Sequence, residues 1–323
     1  MSRSPRVALV LGAGGVAGGA FHAGVLAALH EATGWDPRDA HVVVGTSAGS
    51  MTGAALRAGL SAPDLLARQE GRRMSAEGAR IMAAAGPPIS PPPLRARSGR
   101  STSPGDIAAT LARAAARPLS TRPVALLAGL LPEGSIGTEM IVNGVAALHP
   151  EGWPTSKLWI CAVRRRDGRL VVFGRDATPT VAEAVAASCA IPGFFRPVEI
   201  DGDGYVDGGA HSPTNADIVG SELPDLVIVS SPMSHAGSPR RSGVMAVRRW
   251  SRLLLDAEAL RLRRKRIHVI AFQPTDDDIA VMGPNALDPS RRRDIARHAR
   301  ESTLRRLAHA DTQHRLSVLT TTP

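Results

Sequence analysis

The sequence predicts an α/β fold in which a mainly parallel sheet is covered on both faces by helices. Three observations carry this. Short, uninterrupted apolar runs rich in β-branched residues recur along the chain, as strands buried on both faces require. Helix-forming stretches alternate with those runs in the N-terminal portion, as parallel strands joined by crossovers demand. Finally, 43% of the 323 residues are hydrophobic, which is ample for a large core.

The first strand is expected over 6–11, followed by a glycine-rich segment over 12–19 and a helix over 20–31. A second strand over 41–44 leads through a tight turn into a helix over 48–60. The stretch 86–105, rich in Pro, Gly and Ser, reads as a loop, and 106–149 is weakly helical with an apolar run over 124–131. Residues 61–150 are therefore expected to form a helical cap inserted over the sheet. The runs 157–163 and 170–173, separated by a turn containing Asp167 and Gly168, predict a hairpin. A helix over 182–188 stops at Ile191, Pro192 and Gly193. Strands over 198–200 and 205–206 flank a second Asp-Gly turn. Two further buried strands, 226–229 and 267–272, are separated by a long basic helix over 244–265. An Arg-rich helix over 289–314 ends the pattern. The expected organisation is one α/β domain over 1–275 with a basic helical extension over 276–323 packed on it.

The formal charge of +10 is carried almost wholly by arginine, since only Lys157 and Lys265 are lysines. A chain also rich in Ala and Gly reads as compositionally biased, so most of this charge is expected on solvated faces. Arginine clusters near 164–166, 248–249, 261–266 and 291–293 are compatible with peripheral contact with an anionic membrane. Only 3% of residues are aromatic, which argues against a base-stacking surface and hence against a nucleic-acid partner. Cys161 and Cys189 sit in apolar surroundings without metal-like spacing, so they read as reduced core thiols and no metal site is expected. The N-terminal apolar run is too short for a signal peptide and no apolar run reaches 18 residues, so the expected location is cytoplasmic. Oligomeric state is not encoded in any pattern of the sequence.

Chemistry concentrates in three segments. Gly45, Ser47 and Gly49 form a Gly-x-Ser-x-Gly motif between a strand and a helix, the context that lifts a serine onto a sharp turn. Ser47 is accordingly the candidate nucleophile. The segment from Gly12 to Gly18 admits two readings. One is a dinucleotide fingerprint, but the second strand lacks a terminal acid and the glycine spacing is one residue too long. The other is an oxyanion hole beside the Ser47 turn, formed by the amides of Gly14, Gly15 and Val16. A serine nucleophile needs a proton acceptor. Among the ten histidines, His211 is best placed, in a Gly-rich loop. The other candidate is Asp207, which ends a short strand and is followed by Gly208 and Gly209. Asp201, Asp203 and Asp207 match part of a calcium-loop pattern, which fails at Tyr205 and Ser212.

Four blocks in order, LVLGAGGVAG (9–18), GTSAG (45–49), ASCAIPG (187–193) with Phe195, Pro197 and Val198, and YVDGG (205–209), resemble the successive signatures of patatin-like phospholipases. The resemblance spans residues 6–209. It implies a three-layer α/β/α fold and hydrolysis of lipid acyl esters, of phospholipase A or lysophospholipase type, by a Ser–Asp dyad that needs no histidine and no cofactor. Carried onto this chain, it makes Ser47 the nucleophile, Asp207 its partner and the loop from Gly12 to Gly18 the oxyanion hole. The chain departs from the family at Ala17, where an arginine or lysine is usual, and Gly19 is an added residue. Two other readings stay open: a catalytically silent lipid-binding protein of this fold, and a dinucleotide-binding α/β enzyme.

Overall fold

The computed structural model describes residues 5–85, 134–237 and 243–320. The loop expected over 86–105 and the apolar run over 124–131 lie outside the described residues. One sheet organises the rest. Its strands are β1 (Val7–Leu11), β2 (Val42–Thr46), β3 (Lys157–Arg164), β4 (Leu170–Phe173), β5 (Val198–Ile200), β6 (Asp203–Asp207), β7 (Leu226–Ser230) and β8 (His268–Phe272). They run in the order β5-β6-β3-β2-β1-β7-β8, with β4 added on β3. The pairs among β3, β2, β1, β7 and β8 are parallel, whereas β4, β5 and β6 join antiparallel.

Strand periodicity sends alternate residues to opposite faces, and both faces are dry. Leu9, Leu11, Val43, Ile160, Ile228 and Phe272 share one cluster with α1 (Gly15–Thr33), α2 (Ala48–Arg57) and α3 (Ala62–Glu70). The same face takes α4 (Ala76–Ala85), α5 (Glu139–Ala146) and α6 (Val181–Ser188). Val10, Val44, Cys161, Val229 and Val269 pack on the opposite side against α7 (Gly243–Arg264) and a short turn at Ala216–Ser221. Then come α8 (Asp276–Met282), α9 (Arg292–Leu307) and α10 (Ala310–Thr320), of which α9 closes over α1. The architecture is the three-layer α/β/α arrangement expected, with a mainly parallel sheet.

One junction in the sheet positions the chemistry. Cys161 of β3 faces Thr46 across one edge and Val172 across the other. Its neighbour Ala162 faces Asp207 and Val171 in the same way. The ends of β2 and β6 therefore abut along a single edge of β3. Residues far apart in sequence, 47 and 207, follow from that register.

The structure differs from the sequence pattern in places that have physical reasons. Helix α1 starts at Gly15, five residues before the expected start, because its glycine-rich first turn packs closely and serves as more than a loop. The Arg-rich C-terminal helix is two helices, broken near Ala308 and His309 without a Gly or Pro to signal it. Helix α8 was not expected; a capping box between Thr275 and Asp278 starts it. The β5–β6 turn at Asp201 and Gly202 has φ of 50° and 79°, the two positive values that a two-residue hairpin loop uses.

Candidate active site

Ser47 sits between β2 and α2 with φ 53° and ψ −120°, a conformation that costs of the order of 1–3 kcal/mol for a residue with a Cβ. The surroundings enforce it. The Ser47 N–H donates to Ser188 Oγ at 2.9 Å, and that hydroxyl donates to the Cys161 carbonyl at 2.7 Å. The Ser47 carbonyl accepts the Ser50 N–H at 2.8 Å, so α2 begins at once. Gly49 lets this first turn lie against β1, since a Cβ there would overlap the Leu11 carbonyl. Gly45 plays a similar part beneath the backbone of Ser50.

The glycine loop runs beside this turn, as adjacent parallel strands require. Gly12 N–H donates to Ser230 O at 2.9 Å, Ala13 N–H to Pro213 O at 2.8 Å, and Ala17 N–H to Ala286 O at 2.9 Å. Gly18 N–H closes the first turn of α1 on Gly14 O at 2.8 Å. Among the described residues the amides of Gly14, Gly15 and Val16 take no backbone acceptor. They stand at the positive end of α1, where partial positive charge accumulates. His22 holds the loop from behind. Burial keeps its imidazole neutral, with a pKa down at about 4. Nε2 therefore donates to Gly12 O at 2.8 Å, and Nδ1 accepts from Ser230 Oγ at 2.8 Å.

Asp207 ends β6, its own N–H bonded to Ala190 O at 2.9 Å. Asp207 is 5% exposed, its carboxyl accepts the Gly209 N–H at 2.7 Å, and the Ser47 hydroxyl stands beside it in the same cavity wall. Burial pushes its pKa up to about 6, against the opposing pull of those two donors. Asn215 ties the two turns together. Its Nδ2 donates to Thr46 Oγ1 at 3.1 Å, to Ser212 O at 2.7 Å and to Gly208 O at 3.5 Å. Beneath this loop Glu258 of α7 accepts from Ser212 Oγ and Thr214 Oγ1, both at 2.5 Å, and from Ala216 N–H at 2.8 Å. Its burial raises the carboxyl pKa to about 7.

Two cavities open on Ser47. The first, about 220 Å³, has Gly14, Gly15, Ser47 and Asp207 in its wall beside Phe194, Pro232, Met233 and Trp250. The second, about 180 Å³, is bounded by Val16, Ser47 and Cys189 together with side chains of α2, α3, α4 and α5. Gly15, Ser47, Ile191 and Leu287 belong to both. His211 lines neither; its Nδ1 is engaged with Asn215 Oδ1 at 2.9 Å. Of the two proton acceptors suggested by sequence, Asp207 alone faces the serine. Burial pushes the Cys161 and Cys189 thiols up to about 12, so neither competes as a nucleophile at neutral pH.

The roles of Ser188, Asn215 and Glu258 escaped the sequence reading, although Ser188 falls within the block 187–193, because their partners lie far away along the chain. Arg248 escaped differently. It belongs to a cluster expected on a solvated face, yet it is 7% exposed and donates to the carbonyls of Pro232 and Ser234 at 2.7 and 3.1 Å. Burial brings its pKa down to about 10. Arg164 and Arg166 are held by acids, through Asp167 and Asp203. Among the described residues no helix is long and apolar enough to cross a membrane.

The family model for the patatin-like phospholipases matches residues 9–219. No curated protein matches the chain in sequence. Among solved structures the chain is similar to VipD from Legionella pneumophila, with 14% identity and a TM-score of 0.44, over 94% of this chain and 67% of that one. The family match takes in the glycine loop, the Ser47 turn and the Asp207 turn, and with it the chain is a member of the patatin-like phospholipase family.

Proposed function

We propose that the protein is a serine acyl hydrolase that cleaves lipid acyl esters through Ser47 and Asp207. One observation carries the reading: Ser47 and the buried carboxyl of Asp207 stand together in the wall of one largely apolar cavity, at the point where a second cavity meets it. An unperturbed aspartate is a weak base for a serine hydroxyl. Burial brings Asp207 closer to that task, because a base works best with a pKa near the working pH.

Asp207 takes the Ser47 proton as Oγ attacks the ester carbonyl. The resulting oxyanion is met by the amides of Gly14, Gly15 and Val16, each donor contributing roughly 3–4 kcal/mol to the transition state. Collapse of the intermediate expels the alcohol, which takes the proton from Asp207. Water then gives a proton to the same carboxylate and attacks the acyl-enzyme. Release of the fatty acid returns the proton to Ser47.

Helices α3, α4 and α5 fall within the segment read as a cap, and Leu65, Met82 and Ile141 from them wall the second cavity. In this reading they shield the acyl-enzyme from bulk water. Arg293, Arg297 and Arg300 of α9 gather with Arg72, Glu70 and Glu301 around one surface hollow, and this excess of positive charge suits an anionic bilayer. The reading is tested by assaying release of fatty acid from monoacylglycerol and from lysophospholipid. Ser47→Ala and Asp207→Asn should each abolish it while circular dichroism stays native. Full activity in either variant would refute the dyad.

A further inference from the structure

The two cavities that meet at Ser47 stand differently to the proton carrier. Asp207 is in the wall of the first, whereas the described residues that line the second include no carboxylate. The candidate oxyanion amides span the boundary: Gly14 borders the first cavity, Gly15 both and Val16 the second. An ester carbonyl seated at Ser47, its oxygen on those amides, sends its two arms apart, acyl chain one way and alcohol the other. The proton decides which arm goes where. Asp207 takes it from Ser47 and hands it to the departing alcohol oxygen, so that oxygen must come within hydrogen-bond reach of the carboxyl. The acyl arm exchanges no proton and is turned away from Asp207.

Both arms meet hydrocarbon. Phe194, Pro213, Met233, Trp250 and Met282 line the first cavity, and Arg248 in the same wall is bonded to the carbonyls of Pro232 and Ser234. Leu65, Met82, Ile141 and Val145 line the second, whose two arginines, Arg68 and Arg292, are each engaged already. A polar head group entering the first cavity would give up its water with little to replace it, whereas hydrocarbon gains by leaving water. Gly19 of α1 also borders the second cavity, and a Cβ there would meet nothing closer than Gln69 Nε2 at 4.0 Å. The glycine thus leaves space in that wall. We propose that the second cavity holds the acyl chain and the first the leaving alcohol, and that the substrate is a lipid ester with hydrocarbon on both sides of the bond cut. This rests on the reading of Ser47 as nucleophile and Asp207 as base. Helices α3, α4 and α5 then select the acyl chain, and Met233 and Trp250 the alcohol.

The test measures kcat/KM for two series of simple esters. Ethyl esters from butanoate to decanoate lengthen the acyl arm; acetates from butyl to decyl lengthen the alcohol. In wild type kcat/KM should rise with length in both series, by up to about fourfold per buried methylene. Gly19→Leu and Ala85→Phe each narrow the second cavity. Each should lower kcat/KM for ethyl decanoate at least about tenfold more than for decyl acetate. Met233→Trp narrows the first cavity and should do the reverse. The opposite pattern, an equal fall for both esters, or a wild type indifferent to alcohol length overturns the assignment and leaves the hydrolase intact. Absence of hydrolysis in both series overturns the hydrolase reading itself and this assignment with it.

Discussion

Ser188 holds Ser47 in its strained turn: one hydroxyl accepts the Ser47 N–H at 2.9 Å and donates to the Cys161 carbonyl at 2.7 Å. The link joins α6 to the ends of β2 and β3. Ser188→Ala leaves a buried donor and a buried acceptor without partners, at a cost of about 1–3 kcal/mol each. The expected outcome is a lower melting temperature and a slower reaction of Ser47 with a fluorophosphonate, read by scanning calorimetry and by intact-mass kinetics. An unchanged labelling rate would mean that the turn holds its shape without Ser188.

The buried carboxyl sets the pH dependence. Asp207 acts as a base only when ionised, and its pKa is raised to about 6 by burial. Accordingly kcat/KM for a neutral ester should climb with pH through about 6 and level off above 7. A profile already flat at pH 5 would assign the base to a group less shielded from water.

Stability should move in the opposite direction. The folded-state pKa of Asp207 lies above its unfolded value of 3.8, so folding is favoured by this group below pH 4. That advantage is lost as pH rises through about 6, leaving a deficit of about 3 kcal/mol at neutral pH. Asp207→Asn carries no charge, and it should unfold at a higher temperature than wild type at pH 8, with the difference shrinking by pH 4. Thermal melts at both pH values check this; a variant less stable than wild type at pH 8 would contradict it.

Glu258 supports the site from below. It gathers three donors from the loop that carries Asn215, and Asn215 bonds both Thr46 and Gly208. Glu258→Ala strands those donors and should cost at least about 3 kcal/mol of stability, with activity falling as Asn215 loses its place. Glu258→Gln keeps the shape and an acceptor oxygen, so a smaller loss is expected in urea unfolding. Equal losses in the two variants would point to the ionised form as the essential one.

Much of this arrangement was legible in the sequence. The β-branched runs located β1, β2, β7 and β8 because strands buried on both faces must be apolar at every position. Ser47 and Asp207 stood out because glycines flank each on a tight turn. What stayed hidden was set by tertiary contact. Ser188 looks like any small residue at a helix end, and Glu258 like any acid on an amphipathic helix. The partners of each lie in other segments, and no local pattern reports them. The second cavity was equally invisible, since it is assembled from the start of α1, from α2 to α5, and from Cys189, Leu287 and Arg292. Gly15, Gly18 and Gly19 read as loop by propensity, yet they begin a helix.

The central claim is that Ser47 is activated by Asp207 alone. Intact-mass kinetics of fluorophosphonate labelling, with the adduct located by peptide mapping, tests it directly. One adduct on Ser47 is predicted in wild type, none in Ser47→Ala, and a rate lowered by a factor of about 100 or more in Asp207→Asn. Labelling of Asp207→Asn at the wild-type rate, or an adduct elsewhere in the folded chain, would contradict the account.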